Sequence, residues 1–112
     1  MRSYQLHIKT KKELEIKIGK LGVFRFPKGG YIYTGSAKKN IDKRINRHIS
    51  NQKKLHWHID YLLNKGAEVI RVKKSNAPEC ELNQRVKGKI IVKGFGSSDC
   101  KKGCGSHLKK LG

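Results

Sequence analysis

The spacing of apolar residues changes at Gly35-Ser36, and that change sets the fold class. Before it, Tyr4, Leu6 and Ile8 recur at every second position, as do Leu14, Ile16 and Ile18. Period two is the signature of strands with one buried face. After it, Ile41, Ile45 and Ile49 stand four apart, the spacing of one helical face. A chain that opens with strands and then alternates strands with helices belongs to the α+β class with a mainly antiparallel sheet.

Turn residues divide the chain further. Strands are predicted over 3–9, 13–18, 23–26 and 31–35, with Gly19 to Gly22 as a turn and Pro27-Lys28-Gly29-Gly30 as a break. They read as a meander of about four strands. A helix is predicted over 41–51, capped by Asn40 with Asp42 in its first turn. A short second helix carries Ile59, Leu62 and Leu63 and closes at Gly66. A strand follows over 67–73, where Val69-Ile70 suggests partial burial on both faces. Asn76 is the expected cap of a third helix, with Pro78 near its first turn and Gly88 at its end. Lys89 to Val92 reads as a last short strand, and the stretch from Gly94 to Leu108 as a structured loop. Without repeats or an internal linker, 1–112 forms a single domain: a small, mainly antiparallel sheet flanked by helices.

The charge constrains the partner. Twenty-seven Lys and Arg against eight Asp and Glu give a net charge of +19, spread through every segment. Such a domain attracts polyanions, and neutralising phosphates releases counterions. DNA is the expected partner, with RNA as the second polyanion of the same kind. No apolar stretch approaches the ~18 residues that cross a membrane, and no helix joins a strong apolar face to a basic one, so a membrane partner is not expected. The amino terminus carries no long apolar run, which points to a cytoplasmic protein. Three cysteines cannot all pair internally, and a disulfide framework is not expected.

Phosphodiester cleavage needs an activated water, charge stabilisation on phosphoryl oxygens and help for the leaving group. Tyr31 or Tyr33 can relay a proton. Arg44 can clamp a phosphate through two parallel hydrogen bonds. His48, one helical turn on, can orient or deprotonate a tyrosine. Glu79 can hold a Mg²⁺ or Mn²⁺ ion. Each residue also has an ordinary structural role: strand tyrosines pack, helix-face charges are solvated, and a Glu at a helix start suits the dipole.

The segment Tyr33-Thr34-Gly35-Ser36-Ala37, followed by Arg44 and His48, resembles the second half of the GIY-YIG nuclease signature. More closely, the chain resembles a small GIY-YIG-like family of unknown function. That family is found mainly in archaea and is sometimes fused to an endonuclease III type DNA glycosylase. Tyr31–Ala37, Arg44–His48, the run from His56 to Leu63, Glu79-Cys80, the run from Gly94 to Cys100, and Ser106-His107-Leu108 carry this likeness. It implies a metal-dependent endonuclease acting on DNA, in repair or recombination, with a DNA glycosylase as a partner. The alternative it leaves is an inactive nucleic-acid-binding module of the same fold. Tyr33, Arg44, His48 and Tyr4 would be the catalytic residues, and Glu79, or less readily Glu81, the metal ligand. The chain departs from the signature at Arg2-Ser3-Tyr4, which stands where Gly-Ile-Tyr is the rule. Residues 11–28 form an additional amino-terminal hairpin.

Two further groups stand out. His56, His58 and Asp60 form a polar cluster around Trp57, which can stack on a base; with Lys43, Arg47, Lys53 and Lys54 the two histidines and Trp57 are candidate nucleic-acid contacts. Cys80, Cys100, Cys104 and His107 can make a Cys₃His zinc site, although no second tight cysteine pair accompanies the first.

Overall fold

The computed structural model describes residues 3–36, 40–49, 58–92, 95 and 106–111. In chain order these form β1 (Ser3–Thr10), β2 (Leu14–Ile18), β3 (Gly22–Phe26), β4 (Gly29–Ser36), α1 (Ile41–Ile49), α2 (His58–Asn64), β5 (Glu68–Ser75), α3 (Glu79–Gln84), β6 (Lys89–Ile90) and β7 (Leu108–Lys110). Five strands make one sheet in the order β5-β1-β4-β7-β6, and β2 and β3 make a separate two-stranded sheet. Every pairing is antiparallel. The architecture is α+β, as the change of period implies.

The expected meander is not formed. β1 passes over the β2–β3 hairpin and pairs with β4, placing Tyr4 opposite Gly35, Leu6 opposite Tyr33 and Ile8 opposite Tyr31. The register keeps the apolar residues of both strands on one face, which a shift by one residue would undo. The hairpin buries its own apolar set (Leu14, Ile16, Ile18 and Phe26) in the same core, with α2 against β2. Ile45 of α1, Ile59 and Leu62 of α2, and Phe95 complete that core. Each large apolar side chain taken fully out of water contributes about 1.5–3 kcal/mol.

The opposite face of the sheet carries Ser3, Ser36 and Lys109, and α3 covers it. Ser3 Oγ donates to Ala77 O at 2.7 Å, and Lys109 Nζ donates to Asn83 O at 2.9 Å and Val86 O at 3.2 Å. Lysine at a helix carboxyl end satisfies carbonyls that lack intrahelical partners. β4 is therefore covered on both faces, and Tyr31 through Gly35 are all buried.

Several local expectations change. The tail does not end as a loop: Leu108–Lys110 inserts as β7 between β4 and β6, with Leu108 opposite Tyr33. Its short apolar content hid it, because two of its three residues are lysines. Ile70 is 62 % exposed rather than half-buried. A bulge pairs His7 with Arg71 and Ile8 with Val69, so Ile70 is skipped by the ladder. Ile49 is also exposed. Residues four apart drift by about 40° per step around a 3.6-residue helix, and His48 takes the inward position in the last turn. Asn76 is not the cap of α3; Pro78 occupies the cap position with no side-chain cap bond, and the helix ends before Gly88. Asn40 does precede α1, its carbonyl accepting from Arg44 N–H at 3.2 Å, and Gly66 closes α2 with φ of 113°, open to glycine without strain.

Candidate active site

The site forms where the carboxyl end of β4 meets the start of β1. Tyr4 lies over Gly35, its cross-strand partner. A Cβ at Gly35 would stand 2.5 Å from both Cζ and Oη of Tyr4, so only glycine admits the ring there. Tyr4 Oη lies 2.7 Å from Nε2 of His48, on α1. The Tyr33 ring packs edge-on to the same imidazole, with centroids 6.0 Å apart, and meets Phe95 on its other side.

Burial holds these phenols protonated. Burial raises Tyr4 far above the ordinary phenol range; Arg44 offsets part of the rise and Glu79 adds to it. Tyr33 is raised for the same first reason, with Tyr4 and Glu79 adding. At neutral pH Tyr4 keeps its proton and can donate it to Nε2 of a neutral imidazole. Tyr31 lies elsewhere. Its hydroxyl donates to Pro27 O, and burial pushes its phenol up to about 12. Of the two strand tyrosines, Tyr33 is the one beside His48.

Ser36, the last residue of β4, joins the two helices that carry charge. Its carbonyl accepts from Arg44 Nη1, and its hydroxyl donates to Glu79 Oε2 at 2.5 Å. The other carboxylate oxygen, Oε1, lies 2.6 Å from Nδ1 of His107. Burial alone would raise the Glu79 carboxyl, but the His107 and Ser36 hydrogen bonds, with the charges of His107 and Arg44, outweigh it and hold it below the usual range. Glu79 is thus an ionised carboxylate, its side chain 26 % exposed. Glu81 takes no part: it is exposed and pairs with Arg85 at 2.6 Å.

Behind this cluster, Arg47 and Asp60 lock α1 to α2. Arg47 Nη1 and Nη2 donate to Asp60 Oδ1 and Oδ2, each at 3.0 Å, and Asp60 is wholly buried. The fork geometry is the strong form of this pair. His58 packs on Phe95 with ring centroids 5.7 Å apart, and Lys43 is exposed on α1. Cys80 Sγ and His107 Nε2 are 4.0 Å apart. Lys53, Lys54, His56, Trp57, Cys100 and Cys104 lie outside the described residues. No helix among the described residues is long and apolar enough to cross a membrane.

A family model described as "Domain of unknown function DUF123" matches residues 3–112. The chain belongs to the DUF123 family. No curated protein matches it, and no solved structure matches it.

Some residues of this DUF123 site take roles that the sequence reading did not give them. For Ser36, a position at a strand end ahead of a charged helix is the sole local hint. Gly35 marks where the backbone passes beneath an aromatic ring. Asp60, an acid set among Ile59, Leu62 and Leu63, signals a buried ion pair, because a buried carboxylate needs a partner. Asn83, whose Nδ2 donates to Ser106 O at 2.7 Å, ties α3 to the last strand.

Among the described residues of the DUF123 domain, no three His, Cys, Asp or Glu side chains converge as a ready metal cluster. Magnesium sites commonly use one or two carboxylates, with waters and substrate oxygens filling the rest. The ionised, partly exposed Glu79 fits that donor chemistry.

Proposed function

We propose that this domain is a divalent-metal-dependent nuclease of GIY-YIG type that hydrolyses DNA phosphodiester bonds. The observation that carries the reading is the convergence of Tyr4, His48, Arg44 and Glu79 from three separate elements, β1, α1 and α3, around the end of β4. The net charge of +19 supplies the attraction for the substrate.

The residues divide the work as follows. Tyr4 Oη accepts a proton from the attacking water while its own proton passes to His48 Nε2. The water oxygen bonds to phosphorus, the bond to the leaving oxygen breaks, and that oxygen takes a proton from solvent. Arg44 neutralises charge on the phosphoryl oxygens. Glu79 would hold Mg²⁺ or Mn²⁺, whose chemistry is to stabilise charge on the phosphoryl and leaving oxygens. Ser36 and His107 fix the Glu79 carboxylate, and the Arg47–Asp60 pair fixes the helix that presents Arg44 and His48.

The decisive experiment is cleavage of supercoiled and branched DNA with Mg²⁺ or Mn²⁺. The wild type should cut, and Arg44→Ala and Glu79→Ala should each lose about 10²–10³-fold in rate. Equal cutting by both variants, or no cutting at all, refutes the reading.

A binding module without turnover is the second reading, and one observation favours it. Tyr4 is 2 % exposed and Tyr33 7 %, so both phenols are shielded from water. Tight, salt-dependent DNA binding with no product under any divalent metal would support this alternative.

A further inference from the structure

We propose that Cys80 and His107 are ligands of a second metal site, specific for a soft divalent ion of the zinc class. The site lies on the α3 side of the sheet and does not depend on the nuclease reading. Three observations support it together. First, Cys80 Sγ and His107 Nε2 face each other at 4.0 Å. Zinc–sulfur and zinc–nitrogen bonds of about 2.3 and 2.05 Å at a tetrahedral angle place the two ligand atoms about 3.6 Å apart. The observed gap is a few tenths of an ångström wider, a distance that a bound ion closes by small side-chain movement.

Second, the other nitrogen of the same imidazole lies 2.6 Å from a carboxylate oxygen, Glu79 Oε1. A metal-bound histidine commonly directs its second nitrogen at a carboxylate, which fixes the ring and strengthens it as a donor. His107 thus presents Nδ1 to an acid and Nε2 to a thiol, the two partners expected of a zinc-binding imidazole.

Third, the ligands are held in place before any metal binds. His107 N–H donates to Phe95 O, and its carbonyl accepts from Thr34 N–H, both at 2.9 Å. Asn83 Nδ2 ties α3, which carries Cys80, to Ser106 O at 2.7 Å. The His107 side chain is 3 % exposed. A half-buried Cys80 held against a buried His107 selects soft ions over magnesium, because thiolate prefers zinc. Glu79 serves both metal readings in different ways: as a direct oxygen ligand for a hard ion, and as the group behind His107 for a soft one.

The test uses the full chain purified without added metal. Elemental analysis should find near-stoichiometric zinc. Replacement by Co²⁺ should give the absorption band of a thiolate–cobalt bond. Chelator competition should show at least a tenfold loss of Zn²⁺ affinity in Cys80→Ser and in His107→Ala. Glu79→Ala should weaken Zn²⁺ by about ten- to a hundredfold while keeping the thiolate–cobalt band. Less than about 0.2 equivalents of zinc that cannot be raised by adding Zn²⁺ overturns the proposal. So does unchanged affinity in both Cys80→Ser and His107→Ala. The wild-type measurement decides even if a variant fails to fold, and because none of these readouts involves DNA, the nuclease reading stands or falls separately.

Discussion

Tyr4 and His48, 44 positions apart in the chain, share a buried 2.7 Å hydrogen bond that joins the first strand to the first helix. Tyr4→Phe keeps the ring and leaves the imidazole without its phenol partner. The expected cost is about 1–3 kcal/mol, read from urea denaturation. Replacing both, Tyr4→Phe with His48→Leu, should cost less than the sum of the single changes, because no polar group is then left unmatched. Strict additivity would show that the bond contributes nothing.

The same tyrosine rests on Gly35. Gly35→Ala places a methyl 2.5 Å from the Tyr4 ring, and the ring is held in a closed core with little room to yield. A loss of about 1–3 kcal/mol is expected, the usual cost of overpacking. The Tyr4–His48 contact should open as well, visible as a change in the His48 imidazole resonances by NMR. A variant as stable as the parent would mean that the ring moves freely.

Arg47 and Asp60 make the fork that joins α1 to α2. Asp60→Ala removes the fork partner of a guanidinium whose side chain is 29 % exposed. Removing one partner of a buried pair costs about 3–5 kcal/mol, and partial exposure places this case near about 3 kcal/mol. Thermal melting should show it, whereas Asp42→Ala, at an exposed pair with Lys74, should leave the midpoint nearly unchanged.

His7 sits on the sheet face shared with Lys73 and Arg71. Burial, then the charges of Lys73 and Arg71, lower its pKa from the ordinary 6.5. The sign follows directly. Above 6.5 the residue is neutral in both folded and unfolded chains and adds no pH dependence. As pH falls through 6.5 the unfolded chain takes up a proton that the folded chain resists, so stability falls with acid. His7→Gln should reduce the slope of stability between pH 7 and 5, measured by denaturation at fixed ionic strength. An unaltered slope would show that His7 titrates alike in both states.

The residues of the candidate site were more legible than their partners. Arg44, His48 and Glu79 stand out by type and by spacing, because a helix turn imposes a local period, whereas only the likeness to the GIY-YIG signature set Tyr33 apart from Tyr31. Glu79 and Glu81 could not be separated that way. Both lie in the first turn of α3, and only the sheet shows that one reaches Ser36 and His107 while the other pairs with Arg85 in solvent. Arg47 reads in the sequence as a candidate nucleic-acid contact, and the fold sets it against Asp60.

Local pattern is enough for the elements: alternation marks β1 and β2, four-residue spacing marks α1, and Gly66 marks the end of α2. Those signals are local because a residue's face is fixed by its neighbours two or four positions away. Long-range packing is what takes β1 past the hairpin to meet β4, brings in a lysine-rich tail as β7, and sets Cys80 facing His107. These depend on which distant segments bury the most apolar surface together, and no local pattern names a partner across dozens of residues.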